Sequence, residues 1–146
     1  MNILRKDSKK GLMIMLACIA VFGTACAVMP TSGEIKVTLS GAQEVPPVTT
    51  SASGSGTVTI GTDKSVTGGI ATTGIVATAA HIHDAAMGEN GPVIVPMIRA
   101  GDNAWSFAAG AKLSDAQYQR LMDGKLYINI HSAAHKGGEI RGQLKP

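Results

Sequence analysis

The chain has 146 residues, with 13 Lys and Arg against 10 Asp and Glu, four histidines and a pI ≈ 9.0. That length suggests one domain, and two cysteines are too few for a disulfide-stapled scaffold. Residues 1–26 hold four of the basic groups and one of the acidic ones, so the remainder is near neutral and the basic pI gives no case for nucleic acid as a partner.

The chain opens on a basic stretch, Arg5, Lys6, Lys9 and Lys10, followed by an apolar run from Gly11 to Cys26. A basic segment, a short apolar segment and small residues at its end describe a secretory signal peptide. The run is too short to favour a spanning helix. Ala25 immediately before Cys26, in "FGTAC", resembles the processing site of bacterial lipoproteins. There the cysteine becomes the lipidated N-terminus. Gly23 departs from the aliphatic residue usual in such sites, and Cys18 in "MLAC" is a second candidate. The expectation is an exported cell-envelope protein, anchored in a membrane through Cys26 and facing the periplasm or the exterior; the alternative is a plain signal peptide with two incidental cysteines. No cysteine follows Cys26, so the remaining domain has no thiolate ligand.

Residues 27–34 read as a tether, and residues 35–146 as the domain. "IKVTLSG" (35–41) alternates Ile35, Val37 and Leu39 with polar residues, which is the period of a half-buried strand. "AQEVPPVTTSASG" reads as a loop or edge segment. "SGTVTIG" and "SVTGGIATTG" read as two strands joined at "TDKS". "VATAAHIHD" is a strand ending at Asp84, and "MGENGPV" is a turn. "VIVPMIRAG" is a strand whose Pro96 suggests an edge or a bulge, and "AWSFAAG" is another short strand. "SDAQYQRLMDGK" is a helix over 114–123. Ser114 and Gln117 form a capping-box pattern, and Gly124 lies just past the end. Tyr118, Leu121 and Met122 share one face and are expected to pack on the sheet. "KLYINIHS" and "GEIRGQLK" close the domain. Seven or eight short strands predict an all-β antiparallel Greek-key sandwich or barrel with one short helix. The few aromatics leave aliphatic residues to fill the core, with Trp105 in it.

All four histidines fall in two clusters, His81 and His83 in "AHIHD" and His131 and His135 in "IHSAAHKG". Two residues apart on a strand, His81 and His83 project from one face, and Ile82 from the other. Leu126, Ile128 and Ile130 make one face of the next cluster's strand, opposite Tyr127, Asn129 and His131. Ile140 and Leu144 point inward, with Glu139, Arg141 and Gln143 outward. The histidines thus lie outside the apolar core. Imidazole is a good ligand for copper and zinc, and His-x-His can give two donors to one ion. His81, His83, His131 and, folded back by its turn, His135 form the expected ligand set, for copper first and zinc as the alternative. The other reading is polar decoration on exposed strands, with Asp84, Glu89 and Glu139 pairing to cations. Asp84 could also hold a histidine tautomer, and Glu139 and Arg141 could form a surface ion pair.

Three phrases together are similar to a known family. "VTLSGAQEVPPVTTSASGSGTVTI", "HIHDAAMGENGPVIVPM" and "DGKLYINIHSAAHKGGEIRGQL" resemble, in order, the CHRD domain, named after chordin. The resemblance spans about Ile35 to Leu144. It implies a β-sandwich of immunoglobulin-like or related Greek-key type and assigns no activity. A shorter resemblance is to copper–zinc superoxide dismutases. His81 and His83 match their His-x-His strand, His131 their late histidine, and Arg141 the arginine that attracts superoxide. This implies a catalytic part for Arg141 only if the protein is dismutase-like. The dismutases' zinc-holding set and their disulfide have no equivalent here. Three functions follow: a metal-binding envelope protein, a copper-dependent dismutase-like enzyme, or a non-catalytic extracytoplasmic interaction module. No nucleophile–base pair for hydrolysis and no phosphate-cradling loop is evident.

Overall fold

The computed structural model describes residues 33–146. The expected signal peptide, the lipidation site at Cys26 and most of the tether lie outside the described residues. Within the described residues, eight antiparallel strands close into one barrel. They are β1 (Gly33–Ser40), β2 (Ser53–Ile60), β3 (Val66–Thr73), β4 (Ala77–Asp84), β5 (Val93–Gly101), β6 (Ala104–Phe107), β7 (Leu126–Ser132) and β8 (Ile140–Leu144). Around the barrel they run β1-β2-β3-β6-β5-β4-β7-β8. A 3-10 turn (Gly41–Gln43) follows β1, and one helix, α1 (Asp115–Met122), lies between β6 and β7.

The period of two sets which side chains enter the barrel. Ile35, Val37 and Leu39 of β1 are buried, as are Ile128 and Ile130 of β7 and Ile140 and Leu144 of β8. An eight-stranded barrel is just wide enough for such side chains to fill. Trp105 and Phe107 enter the same core from β6. Closure leaves no free edge, so Pro96 is not at one: it sits opposite His81 in the β4–β5 ladder. The other half of that expectation holds beside it. Ile82 pairs with Val95 and His83 with Val93, leaving Ile94 as the extra residue of a bulge. The seam is narrow, with β1 and β8 in register at Ser40 and Arg141. A side chain at Gly142 would strike the Thr38 backbone, so glycine lets β8 approach β1 there.

The helix begins and ends where its sequence signals lie. Ser114 Oγ accepts from the Gln117 N–H, and Gln117 Oε1 accepts from the Ser114 N–H, completing the capping box. Gly124 has φ 67°, the left-handed backbone that stops a helix. Leu121 is buried and Tyr118 packs against the core. Met122, expected on that face, is instead 50 % exposed, because a helix of two turns offers the barrel only a narrow stripe. No described helix is long and apolar enough to cross a membrane.

Truncating Ile128 to alanine at the barrel centre should lower the unfolding free energy by about 2–5 kcal/mol. Met122→Ala should stay within about 0.5 kcal/mol. Urea denaturation of both variants checks the contrast.

Candidate metal centre

The barrel's outward face is polar where β4, β7 and β8 adjoin, yet much of it is buried. In β7 and β8 every residue but His131 is buried, on both faces. Inward the apolar core covers them. Outward, Tyr127, Asn129, Arg141 and Gln143 lie beneath two segments, 41–52 and 85–91. Arg141 is the largest of these, 1 % exposed. Its guanidinium donates to the carbonyls of Glu89 (2.7 Å) and Ala86 (3.1 Å) and to Gln143 Oε1 (3.1 Å). It also lies 3.5 Å from the centre of the Tyr127 ring. Gln143 Nε2 donates to the carbonyls of Ala85 and Gly124. The segment 85–91 is therefore held down by its own backbone carbonyls.

Strand register brings three of the four histidines together. On neighbouring β4 and β7, His83 faces Tyr127, His81 faces Asn129, and His131 faces Ala79. Alanine leaves room at that position, and His131 leans diagonally onto His81. Its Nε2 lies 3.2 Å from His81 Nδ1. One ring nitrogen of each of His81, His83 and His131 lies within 4.8 Å of the other two. Metal–nitrogen bonds of about 2.0–2.1 Å put neighbouring ligand nitrogens about 3.3–3.5 Å apart. The His81–His131 pair is already at that spacing, and His83 needs a small approach.

Two backbone carbonyls choose which nitrogens are free. His83 Nδ1 is 2.9 Å from the Gly91 carbonyl, and His131 Nδ1 is 2.9 Å from the Lys136 carbonyl. A carbonyl only accepts, so both Nδ1 atoms carry the proton and both Nε2 atoms keep a lone pair. His131 Nε2 then accepts from His81 Nδ1. His83 Nε2 is buried and has no partner among the described residues. Tying down the far N–H of an imidazole in this way is how proteins orient metal ligands. Two of the three rings, His81 and His83, also resist protonation. Burial pushes the His81 pKa down, and the neighbouring His131 and His83 add to it. Burial does the same at His83, opposed by the Gly91 carbonyl and reinforced by His131 and Arg141.

Several residues expected at the site stand elsewhere. His135 is not in the three-nitrogen group. Its carbonyl accepts from Ser132 and Gly138, closing the 132–138 turn, and its side chain lines a separate groove beside Glu44 and Pro46. Arg141 is on the outward face as expected but is covered, and no ion pair joins it to Glu139. Glu139 instead accepts from Thr50 Oγ1 at 2.7 Å. Asp84 holds no histidine: it pairs with Arg120 of α1 at 2.6 Å, and the tautomers are set by Gly91 and Lys136. Tyr127 lies between β4 and β8, stacked on His83 at 4.9 Å and 11° and contacted by Arg141. Its hydroxyl accepts from the Gly91 N–H. Arg141 and Tyr127 thus position the loop whose Gly91 carbonyl orients His83.

Sequence reasoning missed Glu44. It is 5 % exposed, and Asn129 Nδ2 donates to both its oxygens, at 2.9 and 3.0 Å. Burial pushes its pKa up to about 7, against the lowering pull of Arg141, the Val45 N–H and Asn129. Gly138, at φ 135°, fits tightly over this pair, where any side chain would overlap Asn129. A glutamate in "AQEVPP" carries no period that would announce burial.

The fold and site thus define a closed antiparallel barrel carrying an outward, partly buried three-histidine cluster. The CHRD domain family matches residues 35–144, and the chain belongs to that family. No curated protein and no solved structure matches the chain.

Two outcomes follow from the covered layer. Arg141→Met strands the Ala86 and Glu89 carbonyls, so it should cost at least about 2 kcal/mol and speed amide hydrogen exchange across Met87–Gly91. Glu44 holds its proton more tightly folded than unfolded. The stability it contributes is full below pH 4.5 and is lost as pH rises through about 7. His81 and His83, with depressed values, act oppositely: their contribution is present above 6.5 and falls away as pH drops through their folded values. Glu44→Gln should therefore flatten the loss of stability between pH 5 and 8 relative to the parent, measured by urea denaturation across that range.

Proposed function

We propose that this CHRD-domain protein is a cell-envelope protein that binds one transition-metal ion, copper foremost, through His81 Nδ1, His83 Nε2 and His131 Nε2. The observation that carries the reading is the buried, partnerless Nε2 of His83, held beside two other imidazole nitrogens. A buried nitrogen without a partner is costly in a finished structure, and a metal ion would satisfy it. An all-nitrogen donor set suits Cu(II), with Zn(II) the alternative. His81 would exchange its proton from Nδ1 to Nε2 on binding, giving up its bond to His131. What supports export and a lipid anchor is the basic and apolar N-terminus ending at Ala25-Cys26.

A role in holding or delivering the metal fits this geometry better than a dismutase-like one. The dismutase reading assigns anion attraction to Arg141, whose donors are engaged by Glu89, Ala86 and Gln143. The interaction-module reading leaves the His83 lone pair without a purpose.

Protein purified from its own envelope without a histidine tag should carry about one copper per chain by mass spectrometry, the stoichiometry of a single site. His83→Ala should lose it, and His135→Ala should keep it. An untagged chain that arrives empty and also refuses added Cu(II) and Zn(II) would sink the proposal.

A further inference from the structure

Three protein nitrogens leave at least one coordination position on a copper or zinc ion for another ligand. The three rings differ in how open their surroundings are. His83 is 8 % exposed and closed in by Tyr127 and the Gly91 carbonyl. His81 and His131 are half-buried, and both line an open groove of ≈ 470 Å³. The rest of its lining is Thr78, Ala79, Ser132, Ala133 and Lys136. The alanines keep the groove clear beside the imidazoles. No carboxylate lines it, so nothing there repels an anion or competes for the ion.

Its one charged group is Lys136. The ion pairs among the described residues join Lys64 to Asp115, Lys112 to Asp63, Arg120 to Asp84 and Lys125 to Asp123. Lys136 is in none of them. It is also fixed to the cluster through its own backbone, because its carbonyl holds His131 Nδ1 at 2.9 Å. The Lys136 side chain therefore starts from a backbone fixed at the edge of the groove.

We propose that this groove is a subsite for a small anion, which takes the open position on the metal with the Lys136 ammonium as its counter-charge. The inference rests on the metal-binding reading above and names the ligand class of that site. The ligand is an anion of a few atoms with a terminal nitrogen or oxygen donor. Larger anions are disfavoured because the donor must reach between His81 and His131. A neutral donor occupies the same position without help from Lys136.

The test uses copper-loaded protein titrated with azide and, separately, with imidazole, followed by visible absorption and electron paramagnetic resonance. Metal content is measured first on the parent and on Lys136→Met, which keeps the carbonyl that orients His131. The expected result is a saturable azide-to-copper charge-transfer band, weakened about three- to tenfold in Lys136→Met, the size of one charge acting across several ångströms of partly solvated groove. Imidazole should bind both proteins alike. A loaded protein whose spectrum moves with neither ligand would show the position closed and overturn the proposal. Equal azide affinity in parent and variant would overturn the part given to Lys136. A chain that takes up no copper fails at the metal measurement, before azide is added, and that result counts against the metal reading itself.

Discussion

A cation buried on the outside of the barrel organises this molecule. Arg141 points away from the apolar core, yet it is 1 % exposed. A guanidinium removed from water must be given acceptors, or it costs several kcal/mol. Here the acceptors are mainly backbone carbonyls of residues 86 and 89, with Gln143 beside them. That choice fixes where the segment after β4 must lie. The segment arches over β7 and β8 instead of standing out in solvent, and it ends at Gly91, whose carbonyl meets His83. Tyr127 completes the arrangement: its ring lies against both Arg141 and His83, and its hydroxyl accepts from the Gly91 N–H. The orientation of one imidazole thus depends on a cation two strands away.

The second imidazole is held by a different loop through the same device. The turn after β7 closes with Ser132 and Gly138 donating to His135, and this sets the Lys136 carbonyl against His131 Nδ1. Two loops of unrelated sequence thus serve the same chemical end, since each supplies an acceptor and so reserves an Nε2 lone pair. His81 has no such carbonyl. Its Nδ1 donates to His131 Nε2, because the Lys136 carbonyl holds the His131 proton on Nδ1. The cluster is therefore a hydrogen-bonded pair beside one unpartnered imidazole. Burial first, and the neighbouring His131 and Arg141 after it, discourage a proton from taking the lone pair of that third ring.

Strand period made much of this legible. It placed His81, His83 and His131 on one outward face, it put Ile82, Ile128 and Ile130 inside, and the capping box located the helix. What it could not supply was the third dimension of the outer surface. Alternation distinguishes the core face from the other face, but it does not say whether the other face meets water. Arg141 read as an exposed group for that reason, and so did its pairing with Glu139. The covering segments, 41–52 and 85–91, have no hydrophobic period, and their positions follow from polar contacts between distant residues, such as Asn129 with Glu44 and Asn90 with the Val45 carbonyl. His135 failed for a related reason: spacing brought it near His131 in sequence, while the turn geometry uses its backbone and sends its ring to another groove.

The polar layer also explains why the cluster is open on one side only. Toward β8 the outer face is filled in sequence by Tyr127, Asn129, Arg141 and Gln143, with Glu44 reaching down from the 41–52 segment. Asn129 donates to Glu44 and Arg141 to Gln143, so withdrawing one partner of either pair leaves a buried polar group unpaired. Toward Thr78 and Ala79 there is no such cover, because small residues of β4 face outward there and no loop is anchored over them. A bulge at Thr78 shifts the β4–β7 register between the Ala79–His131 and Ala77–Ser132 pairs, which moves that strand end off the regular pleat. Access and rigidity are therefore divided between the two flanks of one strand pair. The β8 flank is locked by buried charge and carbonyls and fixes His83. The β4 flank is lined by alanine and threonine and leaves His81 and His131 facing an open groove.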